Sequence, residues 1–402
     1  MISAASRPYI DASVPVLREH GVAITTLFYR NMFAEHPELT NLFNMGNQAN
    51  GAQQQSLASA VFAYAANIGD PGALAPVIER IVNKHVSVGI REEHYPIVGR
   101  HLLGAIASTL GDAATPPLLA AWDEAYRSLA TLFIEAERAM YAKAGITPGQ
   151  RRALRVTEVR QESVDVVSIR MTADDGAPLA SGKPGQYLSV QVDFADGRRQ
   201  IRQYSLSDTT RPDSLRVSVK REPAGVGVGT AAPAGEVSNW LHDNVRAGSV
   251  LHVSPPFGDF APDTESDQPV LLLSAGIGIT PMIAALKRIA QVQPQRRVIF
   301  AHAARNAQHH AHQADVLAAR TRMPNLQVVT FYDEVSAHDT GVLAGRMEVA
   351  RLPAWPRTEA NVYMCGPLPF MQAQWLALAG AGVPPTRLHR EVFGPDMLDH
   401  LL

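Results

Sequence analysis

Residues 269–286 read PVLLLSAGIGITPMIAAL, a run with no charged side chain and nearly the length of a membrane span. Two glycines, a serine and a Thr-Pro pair in its middle argue against a span. The apolar run ends at Ser274, Gly276 and Gly278 form a tight turn, and Thr280-Pro281 has N-cap and first-turn chemistry. The stretch therefore reads as a buried strand, a turn and a helix start. A helix N-terminus approached through glycines offers backbone N–H groups to an anion and suits a pyrophosphate. Alone the signal is weak, because the full G-x-G-x-x-G is absent and any strand-to-helix turn can look this way.

On either side the hydrophobic period changes. From about residue 268, strand-like runs (VLLLS, RVIFAHA, LQVVTFY, NVYMC) alternate with helical ones, the pattern of a parallel α/β layer. Before it, from about 153, the period is two: LRVTEVR, VDVVSIRMT, YLSVQVDF, IRQYSLSD and LRVSVKRE are short alternating segments, as in an antiparallel barrel. PAGVGVGTAAPAGE (223–236) reads as a flexible loop too long for a tight hairpin. Residues 1–143 are helical in period, with Leu118, Trp122, Ala125, Leu129 and Leu132 on one stripe. KAGITPGQRR breaks that period and marks a linker over 144–152. Three domains follow, over 1–143, 153–264 and 265–402.

The totals narrow the function classes. With 46% hydrophobic and 18% charged residues the chain has the composition of an ordinary globular protein, and a formal charge of -2 gives no reason to expect nucleic acid. The single Cys365 excludes an internal disulfide and a four-cysteine iron–sulfur site, and fits a reducing, cytoplasmic setting. The N-terminus has no basic start followed by an apolar run, so neither a signal peptide nor a membrane anchor is expected.

Three more segments bear on the glycine turn. IRQYSLSD places Arg202 and Tyr204 on one strand face with Gln203 and Ser205 beside them; GEVSNWL (235–241) is a second glycine-led helix start with Ser238 as its cap; MCGPLPFM ends a strand at Cys365-Gly366-Pro367. In this order they resemble the ferredoxin reductase-like module, with its R-x-Y-S strand, G-x-x-S helix start, G-x-G-x-T-P turn and C-G-P strand end. The resemblance covers about 153–402. It implies that Arg202 neutralises FAD phosphates, that Tyr204, Tyr187 and Ser205 attend the flavin, and that Gly235, Val237 and Ser238 offer backbone N–H groups to the diphosphate. Gly276, Gly278, Thr280, Cys365 and Pro367 would bind the nicotinamide nucleotide. Arg305 is read as solvent-facing, so NADH is favoured over NADPH.

A reductase module passes electrons on, and the helical half must hold an acceptor. IVNKHVSVG (81–89) puts His85 on the apolar face of Ile78, Ile81 and Val82, where a histidine is either a satisfied core residue or a metal ligand. Gln53 heads an apolar stripe of Leu57, Val61 and Tyr64, and Tyr29 lies one turn before Phe33. With FYRNMFAEHPELTNLFN (28–44) and QQQSLASAVFAYAANIG (53–69), these segments look like a globin. With the reductase module attached, the whole chain resembles the flavohemoglobins, bacterial and fungal nitric oxide dioxygenases.

That resemblance implies haem b, FAD and NAD(P)H as cofactors, His85 as the proximal iron ligand, and Phe43 and Leu57 lining the haem. Tyr29 and Gln53 would hydrogen-bond the oxygen ligand, while Tyr95 and Glu135 would support His85. Read without the family, Glu135 is an exposed partner of Arg138. His94 and His101 do not fit the spacing. Lys84 would approach a haem propionate. In REVFGPD (390–396), Glu391 would lie between flavin and haem and Phe393 would stack on the flavin. The implied reaction consumes nitric oxide, molecular oxygen and NAD(P)H and yields nitrate. A lipid or an azole in the distal pocket and a monomeric state complete the expectations. The competing readings are an NAD(P)H reductase of ferric iron, quinones or lipid hydroperoxides, an oxygen-storing or oxygen-sensing globin, and a bare reductase component.

Overall fold

The computed structural model describes residues 2–227 and 230–394. It divides into two compact units. One runs to Gln150 and takes in Asp193–Ile201; the other comprises Arg151–Val192 and Arg202–Phe393.

The first unit is helical: α1 (Arg7–Glu35), α2 (Met45–Ala49), α3 (Ala52–Ala66), α4 (Pro71–Val88), α5 (His94–Leu110) and α6 (Pro116–Ala144). Local chemistry sets the ends. The Asp70 carboxylate accepts from the N–H groups of Gly72 and Ala73 to start α4, and Thr115 caps α6. Gly89 (φ 97°) ends α4 in the left-handed region, and a side chain there would collide with the backbone of Gly149. Gly21 lets α1 approach α3 until Ala58 would touch an added Cβ at 3.3 Å. The core these helices share includes Phe28, Tyr29, Met32, Leu102, Ile106 and Trp122.

The stripe on α6 differs from the one read in the sequence. Leu132 is exposed, and the buried line runs Trp122, Ala125, Ala130, Phe133, Glu137, Tyr141. A true 3.6-residue period carried from Trp122 passes through Phe133 rather than Leu132.

After the helices the chain continues with β1 (Arg152–Ser163), β2 (Val166–Thr172), β3 (Tyr187–Asp193), β4 (Arg199–Asp208) and β5 (Leu215–Lys220). After a small ribbon of β6 (Gly225–Gly227) and β7 (Thr230–Ala232) come α7 (Glu236–Asn244) and β8 (Val250–Val253). The antiparallel strands close into a barrel in the order β1-β2-β5-β4-β3-β8. The ribbon corrects the reading of 223–236: Gly225 pairs with Ala232 and Gly227 with Thr230, so a short hairpin forms there. Its tip, 228–229, lies outside the described residues.

The remainder is β9 (Val270–Ala275), α8 (Ile279–Val292), β10 (Val298–Ala304), α9 (Gln313–Arg320), β11 (Leu326–Tyr332), β12 (Leu343–Ala344), β13 (Asn361–Cys365), α10 (Leu368–Gly380) and β14 (Leu388–Glu391). The sheet is parallel in the order β12-β11-β10-β9-β13-β14. One face packs Leu272 and Phe300 against α8, the other buries Leu271, Leu273 and Ile299 with Met371 and Leu378 of α10. Burial on both faces explains why VLLLS is continuously apolar.

The barrel and the parallel sheet share a buried ionic cluster. On β2 and β5, Val167, Ile169, Val217 and Val219 alternate with Ser168, Arg170, Arg216 and Ser218, yet both sets are buried. Arg216 meets Asp315 at 2.8 Å, Lys287 meets Asp208 at 2.9 Å, and Arg170 meets Asp208 at 2.9 Å. Burial alone would raise the Asp208 and Asp315 carboxyls; Lys287 and Thr210 for the first, and His312, Arg216 and Lys287 for the second, hold both well below the usual range.

Candidate functional site

In the helical unit three side chains from three helices meet. The His85 Nδ1–H on α4 donates to Glu137 Oε1 on α6 at 2.7 Å. The Tyr95 hydroxyl on α5 donates to the same oxygen at 2.5 Å and lies 3.2 Å from His85 Nδ1. Phe133, one turn before Glu137, packs against the His85 ring with centroids 5.7 Å apart. Burial, reinforced by Glu137, raises the Tyr95 phenol and keeps it a donor. The backbone braces the group: Gly89 and Ile90 donate to the His85 carbonyl, and the Tyr126 hydroxyl donates to that of Tyr95. Gly99 leaves room for Tyr126, whose ring an added Cβ would meet at 2.5 Å.

Glu135 is therefore not the carboxylate at this site. It is exposed, whereas Glu137 is 3% exposed and occupies the stripe position between Phe133 and Tyr141. Two residues along a helix turn a side chain by about 200°, so Glu135 faces away from His85. Arg138 pairs chiefly with Glu92, at 2.6 Å. The sequence signal that would have found Glu137 is that spacing, a carboxylate four residues from two aromatics.

A second group gathers on α1 and α3. Tyr29 is buried, stacks on Phe33 at 5.7 Å, meets Phe43 edge-on at 5.8 Å and hydrogen-bonds Gln53. Burial raises its phenol against the lowering effect of Gln53, so it too is a neutral donor. Phe43, Leu57, Val61, Ile97 and Val98 pack against the helical core yet stay partly exposed. Lys84 is exposed beside His85.

In the second unit, Arg202, Gln203, Tyr204 and Ser205 lie along β4. Burial lowers the Arg202 guanidinium against the opposing influence of Tyr204 and Glu236, and raises the Tyr204 phenol, which stays neutral. Gln203 Nε2 donates to Ser189 at 3.1 Å. Tyr187 packs over Gly258, whose Cβ would lie 3.1 Å from its ring. Gly235 is the N-cap of α7, so Ser238 is not the cap expected from the sequence: its hydroxyl donates back to the Gly235 carbonyl and accepts from Glu222 N–H. Val237 is buried beside it.

The glycine turn and the C-G-P end abut. Gly276 takes φ 53°, and a Cβ on Gly278 would stand 2.3 Å from the carbonyl oxygen of Cys365. The two motifs are thus one feature, at the C-terminal ends of β9 and β13, where the strand order reverses; open α/β sheets place ligands at such points. Thr280 falls inside α8 and donates to Ile277 C=O rather than capping the helix. Pro367 is exposed at the start of α10. Burial, with Glu391 adding to it, pushes the Cys365 thiol well above its ordinary value, so it is no nucleophile. Glu391 pairs with Cys365 across β13 and β14, and Phe393 is exposed. Arg305 is exposed as well. Pro395 and Asp396 of the tail motif lie outside the described residues.

The helical segment and the two oxidoreductase halves define the class: a globin joined to a flavin- and nicotinamide-binding reductase. The globin family model matches residues 26–132, the oxidoreductase FAD-binding domain 153–261 and the oxidoreductase NAD-binding domain 272–375. The flavohemoprotein of Bordetella parapertussis is 46% identical over 98% of this chain and 99% of its own. That of Chromobacterium violaceum is 47% identical over 98% of each. The crystal structure of flavohemoglobin from Malassezia yamatoensis with bound FAD and haem superposes with a TM-score of 0.85 at 31% identity, covering 98% of this chain and all of that one. The chain belongs to the flavohemoprotein family, and haem, FAD and NAD(P)H are its cofactors.

The residues present fit these groups. His85 has Nδ1 engaged and Nε2 left for a metal, and the same helical unit carries partly exposed apolar side chains suited to a flat, greasy ring. Arg202 and the α7 N-terminus supply cationic and N–H donors for a diphosphate.

Proposed function

We propose that this flavohemoprotein is an NAD(P)H-dependent nitric oxide dioxygenase that converts nitric oxide and oxygen to nitrate. When bound, the nicotinamide supplies a hydride, the flavin divides it into single electrons, and the haem activates oxygen. The observation that carries the reading is the His85–Glu137–Tyr95 contact. A carboxylate accepting from the imidazole N–H makes Nε2 a stronger electron donor, which favours oxygen activation over storage. Tyr95 shares the carboxylate and holds the ring in one orientation.

Tyr29 and Gln53, hydrogen-bonded to one another, would supply neutral donors able to stabilise negative charge developing on oxygen. Phe43 and Leu57 line the haem, and Lys84 neutralises a propionate. Arg202, Tyr204, Ser205, Tyr187 and Phe393 hold the flavin. Gly235, Val237 and Ser238 give backbone donors to its diphosphate. Gly276, Gly278, Thr280, Cys365 and Pro367 receive the nicotinamide nucleotide, with NADH favoured, and Glu391 serves electron transfer.

The test is to follow nitric oxide consumption and nitrate yield with NADH and oxygen, in the holoenzyme and in His85→Ala. NADH-dependent nitrate formation that disappears in the variant is expected. NADH oxidation without nitrate, surviving loss of haem, would replace this reading with a reductase of ferric iron, quinones or lipid hydroperoxides.

A further inference from the structure

At the far end of α1 from Arg7, a second set of metal-ligating atoms converges. Glu35 is the last residue of α1, His36 follows it, and Arg100 and His101 face them from α5. The ligand atoms of Glu35, His36 and His101 all lie within 4.8 Å of one another. One cationic nitrogen sits among them. Arg100 Nη2 is 3.0 Å from His36 Nε2, 3.3 Å from Glu35 Oε2 and 3.5 Å from His101 Nε2. The two imidazoles stand at 86° with centroids 5.7 Å apart, a T-shaped contact. The group borders a cleft of about 330 Å³ lined by Asn31, Ala34, Gly104 and Ser108.

We propose that Glu35, His36 and His101 form a binding site for a divalent transition-metal cation of the zinc class, whose place Arg100 holds when no cation is bound. Two imidazoles and a carboxylate are the ligand set of an open zinc site, with the remaining position left to water. His36 carries the outer-shell carboxylate such ligands commonly have, with Nδ1 3.2 Å from Glu38 Oε1. The C-terminus of α1 carries the negative end of the helix dipole and adds attraction for a cation.

Zinc takes its ligands at about 2.0–2.2 Å, so each atom must move inward by roughly 1 Å. The Glu35 and Arg100 side chains, 59% and 61% exposed, are free to make that change. The cluster of Glu162, His312 and Asp315 has a similar donor set but carries no such proposal, because Arg160, Arg216 and Lys287 already neutralise it. A cation bound at Glu35, His36 and His101 would tie α1, which carries Tyr29, to α5, which carries Tyr95.

The experiment is titration of the holoenzyme with Zn²⁺ by calorimetry, with X-ray absorption at the zinc edge, where haem iron does not interfere. One equivalent bound through two imidazole nitrogens at about 2.0–2.1 Å and a carboxylate oxygen is expected. His36→Asn and Glu35→Gln should each weaken binding at least about tenfold, while His94→Ala leaves it unchanged. Arg100→Ala should tighten binding about two- to fivefold, the value of the surface ion pairs it removes. That arm keeps the idea testable if a His101 variant fails to fold. Zinc bound equally by wild type, His36→Asn and Glu35→Gln, or weaker binding in Arg100→Ala, overturns the proposal.

Discussion

Two histidine–carboxylate contacts in this molecule have nearly the same length and opposite uses. His85 donates to Glu137 at 2.7 Å, and His312 meets Asp315 at 2.9 Å. His312 is fully buried and has both ring nitrogens engaged, Nδ1 by Asp315 and Nε2 by Ser218. Around it Arg216, Lys287 and Arg160 complete a cluster of ion pairs on Asp315. His85 has only Nδ1 engaged, and 31% of its side chain is exposed. A satisfied histidine holds two layers together; a histidine satisfied on one side is set up to bind something on the other. Separation from the carboxylate does not distinguish them, but the fate of the second nitrogen does.

The largest break in that comparison should come from His85→Ala, which removes the imidazole whose Nδ1 is engaged by Glu137 and whose Nε2 is left for a metal. Haem retention and nitrate formation should both be lost, as read by the haem spectrum. Next is Asp315→Asn, which strands Arg216 and Lys287 with one partner fewer. Breaking a buried pair costs about 3–5 kcal/mol, so denaturant unfolding of the reductase unit should shift strongly while the haem spectrum stays in place. Glu137→Gln should keep haem but lower turnover about 10- to 100-fold and raise the haem potential, since a neutral amide is a poorer acceptor for the imidazole N–H.

Acid gives a milder contrast. Asp208 and Asp315 are held below their unfolded values, so their stabilising contribution is present above about pH 4 and fades as pH falls further. The denaturant midpoint of the reductase unit should fall on acidification from pH 5 to 3; an unchanged midpoint over that range would contradict the assignment. The smallest effect belongs to Glu135→Gln, which should leave both turnover and haem potential unaltered. A loss equal to that of Glu137→Gln would restore Glu135 to the site.

Much of this was readable beforehand. The switch of hydrophobic period from 3.6 to two, and then to strands alternating with helices, is a local property and carries the order of helical unit, barrel and parallel sheet. His85 and Gln53 stand out by their places on apolar faces and Tyr29 by lying one turn before Phe33, whereas Tyr95 follows only from the family resemblance. Glu137 was missed because choosing between two glutamates in IEAER requires the phase of a helix 29 residues long, in which a stripe drawn through Leu132 slips to the wrong side. Ser238 and Thr280 were assigned as caps from residue type, but where a helix begins depends on which backbone donors the neighbouring loop already satisfies.

By itself, then, the sequence determined the elements, their order and the residue types available for haem, flavin and nucleotide, because these follow from periodicity, glycine and proline placement and side-chain chemistry. Only the tertiary structure decided that Glu137 accepts the imidazole N–H hydrogen bond, that Gly278 lets two strand ends touch, that the polar faces of β2 and β5 are buried, and that Arg100 sits among three ligand atoms. Each of those depends on distances between residues far apart in the chain, and such distances are fixed by packing rather than by any local pattern.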